Sequence, residues 1–198
     1  MSSEYRDFKH DKILDYATEK HKGQTRKYTG ESYITHPISV AKIISEICSD
    51  IQPMDLDIIY RLEELAYLHD TVEDTDATLE EIESLFGEYY SKNVEYLTNI
   101  SKPEDGNRKI RKMIDMEHTL KGSIDSIIVK LADIIDNCHD IVKRDSSFAK
   151  KYLGEKEEFI KRAKELFQDD SSIMFKIYKQ MILKAEETIY QQIKILGE

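Results

Sequence analysis

Apolar residues recur at intervals of three and four along nearly the whole chain, the spacing that gathers them on one face of an α-helix. No run alternates with the period of two that a half-buried strand requires, so the chain reads as all-α. Breakers are scarce enough to permit this. Seven Gly and three Pro stand in 198 residues, under half of the roughly 12% that average usage would give.

Where breakers and caps occur, they divide the chain. A helix is expected over Tyr5 to Lys20, then a polar, basic loop from His21 to Glu31 containing Gly23 and Gly30. Pro37 suits the first turn of a helix carrying Ile38, Val40, Ala41, Ile43, Ile44 and Ile47, and Pro53 precedes a third helix over Asp55 to Leu68. Thr78-Leu79-Glu80-Glu81 has the pattern of a capping box, and Gly87 stands where that short helix would stop. Further helices are expected over Glu88 to Ile100, Arg108 to Leu120, Ser123 to Lys143, Glu155 to Phe167 and Ser172 to Leu196, with a loop from Ser101 to Asn107. The length fits one domain, a bundle of about eight to ten helices in which residues 151–198 pack onto residues 1–150. The stripe Ile173, Ile177, Met181, Ala185, Ile189 and Ile193 on the last helix reads as core or as a homodimer contact.

The formal charge of −10 argues against nucleic-acid polymers and acidic membranes as partners, since both are bound through basic surface. The charge is uneven, however. Residues 71–88 hold seven acidic side chains and no Lys or Arg, whereas residues 20–27 hold four basic ones and no acid. A small, highly charged anion remains compatible. No stretch approaches the ~20 apolar residues of a membrane span, and the start Met1-Ser2-Ser3-Glu4-Tyr5-Arg6 lacks the apolar core of a leader, so a cytoplasmic location is expected. Cys48 and Cys138 lie in apolar helical runs and read as reduced core residues.

Of three His-Asp dipeptides, His10-Asp11, His69-Asp70 and His139-Asp140, the second ends the apolar run Leu65-Ala66-Tyr67-Leu68. Glu73 and Asp74 follow it at a spacing of four, one helical turn beyond their partners. Three carboxylates and an imidazole within six residues repel one another unless a cation intervenes. His36, just before Pro37, and Asp133, inside the apolar run Ile127 to Ile135, can complete a set of two His and two Asp. Asn137 follows Asp133 on the same helical face. Mixed nitrogen and oxygen donors suit one Mn²⁺, Fe²⁺ or Zn²⁺ better than Ca²⁺.

The blocks His21-Lys22-Gly23-Gln24-Thr25-Arg26-Lys27, Tyr33-Ile34-Thr35-His36-Pro37, Leu68-His69-Asp70-Thr71-Val72-Glu73-Asp74-Thr75 and Val129-Lys130-Leu131-Ala132-Asp133 stand in this order in the chain. Together they resemble the HD-superfamily domain of RelA/SpoT-type alarmone hydrolases, in particular the small single-domain ones. The resemblance runs from about Lys12 to Val142. It implies an HD-type bundle with the phosphohydrolase domain in residues 1–150. The implied activity is Mn²⁺-dependent removal of the 3′-pyrophosphate from guanosine 3′,5′-bis(diphosphate) and its pentaphosphate analogue, giving GDP or GTP. It further implies His36, His69, Asp70 and Asp133 as metal ligands, and Glu73 and Asp74 as the groups that position water and move protons. Arg26 would stack on the base, Lys27 would lie near phosphate, and Asn137 would contact the ribose. Two places depart from the family pattern: Ile134 stands where Lys or Arg is usual, and residues 137–140 differ. The competing readings are an HD phosphatase of NADPH or a deoxynucleotide, and a non-catalytic alarmone-binding or antitoxin-like domain. Glu73 and Asp74 weigh against the latter, because a binder needs no group to activate water.

Overall fold

Side-chain caps set several helix starts. In the computed structural model, which describes residues 3–53, 55–168 and 171–197, the chain forms α1 (Ser3–Lys20), α2 (Thr35–Ser49), α3 (Leu56–Leu68), α4 (Thr71–Asp74), α5 (Leu79–Phe86), α6 (Glu88–Leu97), α7 (Arg108–Thr119), α8 (Ile124–Cys138), α9 (Ile141–Arg144), α10 (Ser146–Ala163) and α11 (Ile173–Gly197). Among the described residues there is no strand, and a 3₁₀ turn spans Pro103–Asp105. Asp55, Thr78, Asn107, Ser123 and Asp145 each accept a bond from a backbone N–H in the first turn that follows. Gly87, at φ +103°, lets α5 turn directly into α6. The Met1 and Ser2 part of the start read as leaderless lies outside the described residues.

α8 is the axis of the bundle, packed against α2, α3, α6, α10 and α11. Eleven of its fifteen residues are buried, so it has almost no solvent face on which to place a polar side chain. Its polar residues are therefore paired. Asp125 accepts from the Tyr89 hydroxyl and lies 3.0 Å from Arg61 Nε, while Ser126 donates to Asn93 at 3.0 Å. Asp133 pairs with Lys130 at 2.8 Å and faces the site described below. Cys48 and Cys138 are buried free thiols. On α11, Ile177, Met181, Ala185 and Ile189 are core, whereas Ile193 and Tyr190 are exposed. Among the described residues no helix is long and apolar enough to cross a membrane.

The largest boundary differences from expectation lie at the end of α8 and the start of α10. The helix expected over Ser123 to Lys143 ends at Cys138, and only a single turn, α9, follows. Gln192 of α11 causes the break to persist: its side chain donates to the His139 carbonyl at 2.6 Å and accepts from Val142 N–H at 3.3 Å, replacing helical bonds with tertiary ones. α10 begins at Ser146, nine residues before the expected Glu155, because Asp145 caps it by accepting from Phe148 N–H at 3.1 Å. Gly154 is carried inside the helix.

Gln192→Leu is expected to lower unfolding free energy by about 2 kcal/mol, since two buried backbone groups lose their partner; chemical denaturation measures this. α1 is fastened to α3 by His10, whose ring lies 3.2 Å from Glu63. That Glu63 bond outweighs burial and raises the His10 pKa above its usual 6.5. A raised folded-state pKa contributes stability below about 6.5, lost as pH rises through the folded value. The melting-temperature gap between the wild type and His10→Gln should therefore be larger at pH 6 than at pH 9.

Candidate active site

The loop between α1 and α2 is held shut by its own backbone, with Arg26 N–H bonded to Glu31 O at 2.8 Å and Tyr33 N–H to Gln24 O at 3.0 Å. It delivers His36 in the first turn of α2, at 3% exposure. α3 ends at Leu68, so His69 and Asp70 occupy the step between α3 and the single turn α4. The continuous helix from His69 to Asp74 assumed from the spacing is thus interrupted, and Asp74 N–H still bonds the Asp70 carbonyl at 2.9 Å. Asp133 comes from the middle of α8.

These residues converge. His36 Nε2 lies 3.5 Å from Asp70 Oδ2 and 3.3 Å from Asp133 Oδ1. His69 Nε2 lies 3.0 Å from Asp70 Oδ2 and 4.0 Å from Asp133 Oδ1. Both rings are oriented from behind. His69 Nδ1–H donates to the Ala66 carbonyl at 2.7 Å, and His36 Nδ1 bonds the Asp136 carboxylate at 2.7 Å. His69 Nε2 is fully buried and close to Asp70, yet among the described residues it has no aligned hydrogen-bond partner. Buried nitrogen left in this state is the mark of a metal ligand more than of a structural His. Ligand bonds of about 2.1 Å separate adjacent donors by about 3 Å, which this cluster approaches. His36, His69 and Asp133 present donor atoms within 4.8 Å of one another, with Asp70 beside them, so the residues fit a divalent cation.

The field at the cluster is strongly negative. Burial alone would lower the His36 pKa, but Asp133 and Asp136 outweigh it and raise it to about 10. Burial would raise Asp133, but Lys130 and His36 hold it well below the usual carboxylate range. The field that attracts a proton to the imidazoles attracts a cation in exchange for it.

Glu73 and Asp74 project from α4 beside this cluster and line the same cavity, of about 910 Å³. Glu73 accepts from Asn99, from the side chain at 2.5 Å and from the backbone N–H at 3.1 Å. Enclosure raises the Glu73 carboxyl above its ordinary value, with Lys130 opposing. Asp74 accepts from the Tyr33 hydroxyl at 3.0 Å, and the same hydroxyl lies 2.6 Å from Asp70. Asn137 lies close by, but its amide donates to Asp133 at 2.5 Å. Arg26 and Lys27 line a second, smaller cavity of about 340 Å³, which shares Tyr33, His36, Asn137, Phe148 and Tyr152 with the first. Lys27 is tied to Tyr28 at 3.1 Å, at the outer edge. Ile134, the departure from the family pattern, packs in the core at 1% exposure.

Asp136 and Lys130 were not among the residues singled out from the sequence. Asp136 bonds both His36 and, at 2.6 Å, Arg26 Nη2. It stands three residues after Asp133, on the same face of α8, a spacing that by itself does not distinguish it from a surface acid. Asp136→Asn is expected to weaken binding of divalent metal about tenfold or more, the usual effect of losing the partner that orients a ligating His. Titration calorimetry with Mn²⁺ or Zn²⁺ checks this.

A family model described as HD domain matches residues 14–157. The chain is 37% identical over 129 residues to guanosine-3′,5′-bis(diphosphate) 3′-pyrophosphohydrolase of Danio rerio, covering 65% of this chain and 66% of the relative. It is 39% identical over 126 residues to the protein of the same name from Aquifex aeolicus, covering 64% of this chain and 17% of that one. The bifunctional (p)ppGpp synthase/hydrolase SpoT of Escherichia coli is 34% identical over 125 residues, 63% of this chain and 16% of its own length. The chain therefore spans just under two thirds of the Danio rerio relative and about a sixth of the bacterial ones. A solved structure described as a metazoan ortholog of SpoT that hydrolyses ppGpp superimposes with a TM-score of 0.72 at 27% identity, covering 92% of this chain and 94% of the other. The family implies a divalent metal, for which the buried His and Asp cluster is the fitting place. With its helical architecture and the match over residues 14–157, the chain belongs to the HD-domain family.

Proposed function

We propose that the protein is a Mn²⁺-dependent guanosine-3′,5′-bis(diphosphate) 3′-pyrophosphohydrolase. The observation that carries this is the convergence of His36, His69, Asp70 and Asp133, with Glu73 and Asp74 on the same cavity wall, in a chain similar to relatives of that name. Those four residues would hold the ion. A bound divalent ion supplies Lewis acidity toward phosphoryl oxygen and acidifies water.

The chain's own groups then divide the remaining work. Glu73, held by Asn99 and raised by enclosure, takes the proton of the attacking water. Asp74, tied to Tyr33, orients that water. The water oxygen bonds to the phosphorus next to the ribose 3′ oxygen, and the bond from that phosphorus to the 3′ oxygen breaks. Pyrophosphate leaves with the water oxygen, and the 3′ oxygen receives the proton. Arg26 stacks on the base from the smaller cavity, Lys27 approaches phosphate from its edge, and Asn137 reaches the ribose. The substrate is a free small nucleotide in the cytoplasm. Residues 1–150 carry the chemistry and 151–198 complete the bundle. A homodimer would form through the exposed Tyr190 and Ile193 of α11.

Purified protein with Mn²⁺ is expected to release pyrophosphate from guanosine 3′,5′-bis(diphosphate). Glu73→Gln should lower kcat by about 10²-fold or more with unchanged metal content. Intact tetraphosphate after prolonged incubation would overturn the proposal, and turnover of NADPH or a deoxynucleotide alone would replace the substrate.

A further inference from the structure

Of the block His21 to Lys27, the proposed reaction uses Arg26 and Lys27 and leaves His21 and Gln24 without a role. His21 is nevertheless enclosed, at 1% exposure, directly after the last turn of α1. It lines neither cavity. Its Nδ1 lies 2.8 Å from Gln24 Oε1, whereas its Nε2 is buried with no hydrogen-bond partner among the described residues. A side chain kept only to fill this space would be apolar, since an enclosed nitrogen left unpaired is unfavourable.

The hydrogen between these two residues can be placed by elimination. The far end of the Gln24 side chain lies 2.6 Å from the backbone carbonyl of Asp74. A carbonyl only accepts, so the amide nitrogen of Gln24 faces Asp74 and the amide oxygen faces His21. That oxygen also only accepts, so His21 Nδ1 carries the hydrogen. A directed chain results, from His21 Nδ1–H to Gln24 Oε1 and from Gln24 Nε2–H to the Asp74 carbonyl. Gly23, at φ +82°, permits the tight return behind it, in which Gln24 N–H bonds the His21 carbonyl at 3.0 Å.

The same imidazole supports Tyr33. The two ring centres are 4.8 Å apart, and the Tyr33 ring also meets His36 edge-on at 5.7 Å. Tyr33 is the residue whose hydroxyl reaches both Asp70 and Asp74. His21 is thus linked to Asp74 by two routes, one ending on its backbone and one on its carboxylate. α4 is a single turn of four residues with few bonds of its own, so its direction depends on contacts from outside.

Resting on the proposed phosphohydrolase activity, we infer that His21 is a positioning residue for Asp74. Through Gln24 it fixes the backbone of α4, and through the Tyr33 ring it fixes the hydroxyl that holds the Asp74 carboxylate. Nδ1–H is the group that matters, and Nε2 is dispensable.

Nitrogen NMR of the full chain with labelled histidines reads the first link without any turnover, His21 being assigned from its loss in His21→Asn. The wild type is expected to hold the Nδ1–H form, and Gln24→Met to release it. With Mn²⁺ and guanosine 3′,5′-bis(diphosphate), His21→Phe, which keeps a ring against Tyr33, should lower kcat about tenfold or more with KM and Mn²⁺ affinity unchanged. His21→Asn, whose amide stands where Nδ1–H stood, should recover most of it. The double variant His21→Phe with Gln24→Met should be no slower than Gln24→Met alone, because the two act through one chain. The Nε2–H form in the wild type, wild-type kcat in His21→Phe, or effects of the two substitutions that multiply overturns the inference. The expected NMR result in a wild type that hydrolyses no tetraphosphate upholds the link from His21 to Asp74 and removes the proposed activity instead.

Discussion

A carboxylate in the middle of the most enclosed helix of a bundle needs a reason to be there. Asp133 sits on α8 with apolar residues before and after it, and in isolation its burial would disfavour the charged form by several kcal/mol. It is kept ionised by Lys130 behind it and by two imidazoles in front. That requirement dictates the surrounding architecture. α2 must start where His36 can reach α8, α3 must end where His69 and Asp70 can, and both imidazoles must be held from their far nitrogens. A cluster of this composition gains most when a divalent cation replaces the protons, so folding and metal uptake draw on the same field.

Much of this is legible in the sequence because helical spacing and the chemistry of buried groups act locally. His36 before Pro37, the His69-Asp70 step and Asp133 within an apolar run are each anomalous on their own, and the fold brings all of them into one buried cluster. The end of the third helix at Leu68 was legible, but the step at His69 and Asp70 before a separate turn was not, since a spacing of four carries across it and the Asp70 carbonyl still bonds Asp74. Nor was the end of α8 at Cys138. Nothing near His139 terminates a helix; the termination is enforced by Gln192, more than fifty residues later. Asp136 was missed for a related reason. On an α8 read as one long amphipathic helix it passes for a surface acid, and only the approach of Arg26 and His36 from other elements shows its use.

The early start of α10 has the largest consequence for the site. Read as a loop up to Glu155, the segment carries no wall; capped by Asp145, it becomes a helix that aims Phe148, Tyr152 and Lys156 along one face at a spacing of four. Phe148 and Tyr152 then stand between the two cavities, and Lys156 reaches the wider one. Asp70, Glu73 and Asp74 come from the first half of the sequence and Arg108, Lys112, Lys151 and Lys156 from the second, and they meet on one cavity through tertiary packing around α8. This is why the net charge of −10 is a poor guide to the ligand.

Asp136 also joins two functions that the sequence keeps far apart. One of its oxygens lies 2.7 Å from the ring of His36 and 2.6 Å from Arg26, so the orientation of a candidate metal ligand and that of a candidate base-binding guanidinium depend on a single atom. If a base draws Arg26 toward it, the Asp136 oxygen loses a cation and leans more heavily on the His36 N–H. Greater negative charge on that oxygen makes the imidazole a stronger donor at Nε2. On the proposed reading, a nucleotide held in the smaller cavity would be felt at the cluster in the larger one through this one carboxylate. The two cavities share Tyr33, His36, Asn137, Phe148 and Tyr152, and α8 carries Asp133 toward the larger one and Asp136 toward the smaller, a single turn apart.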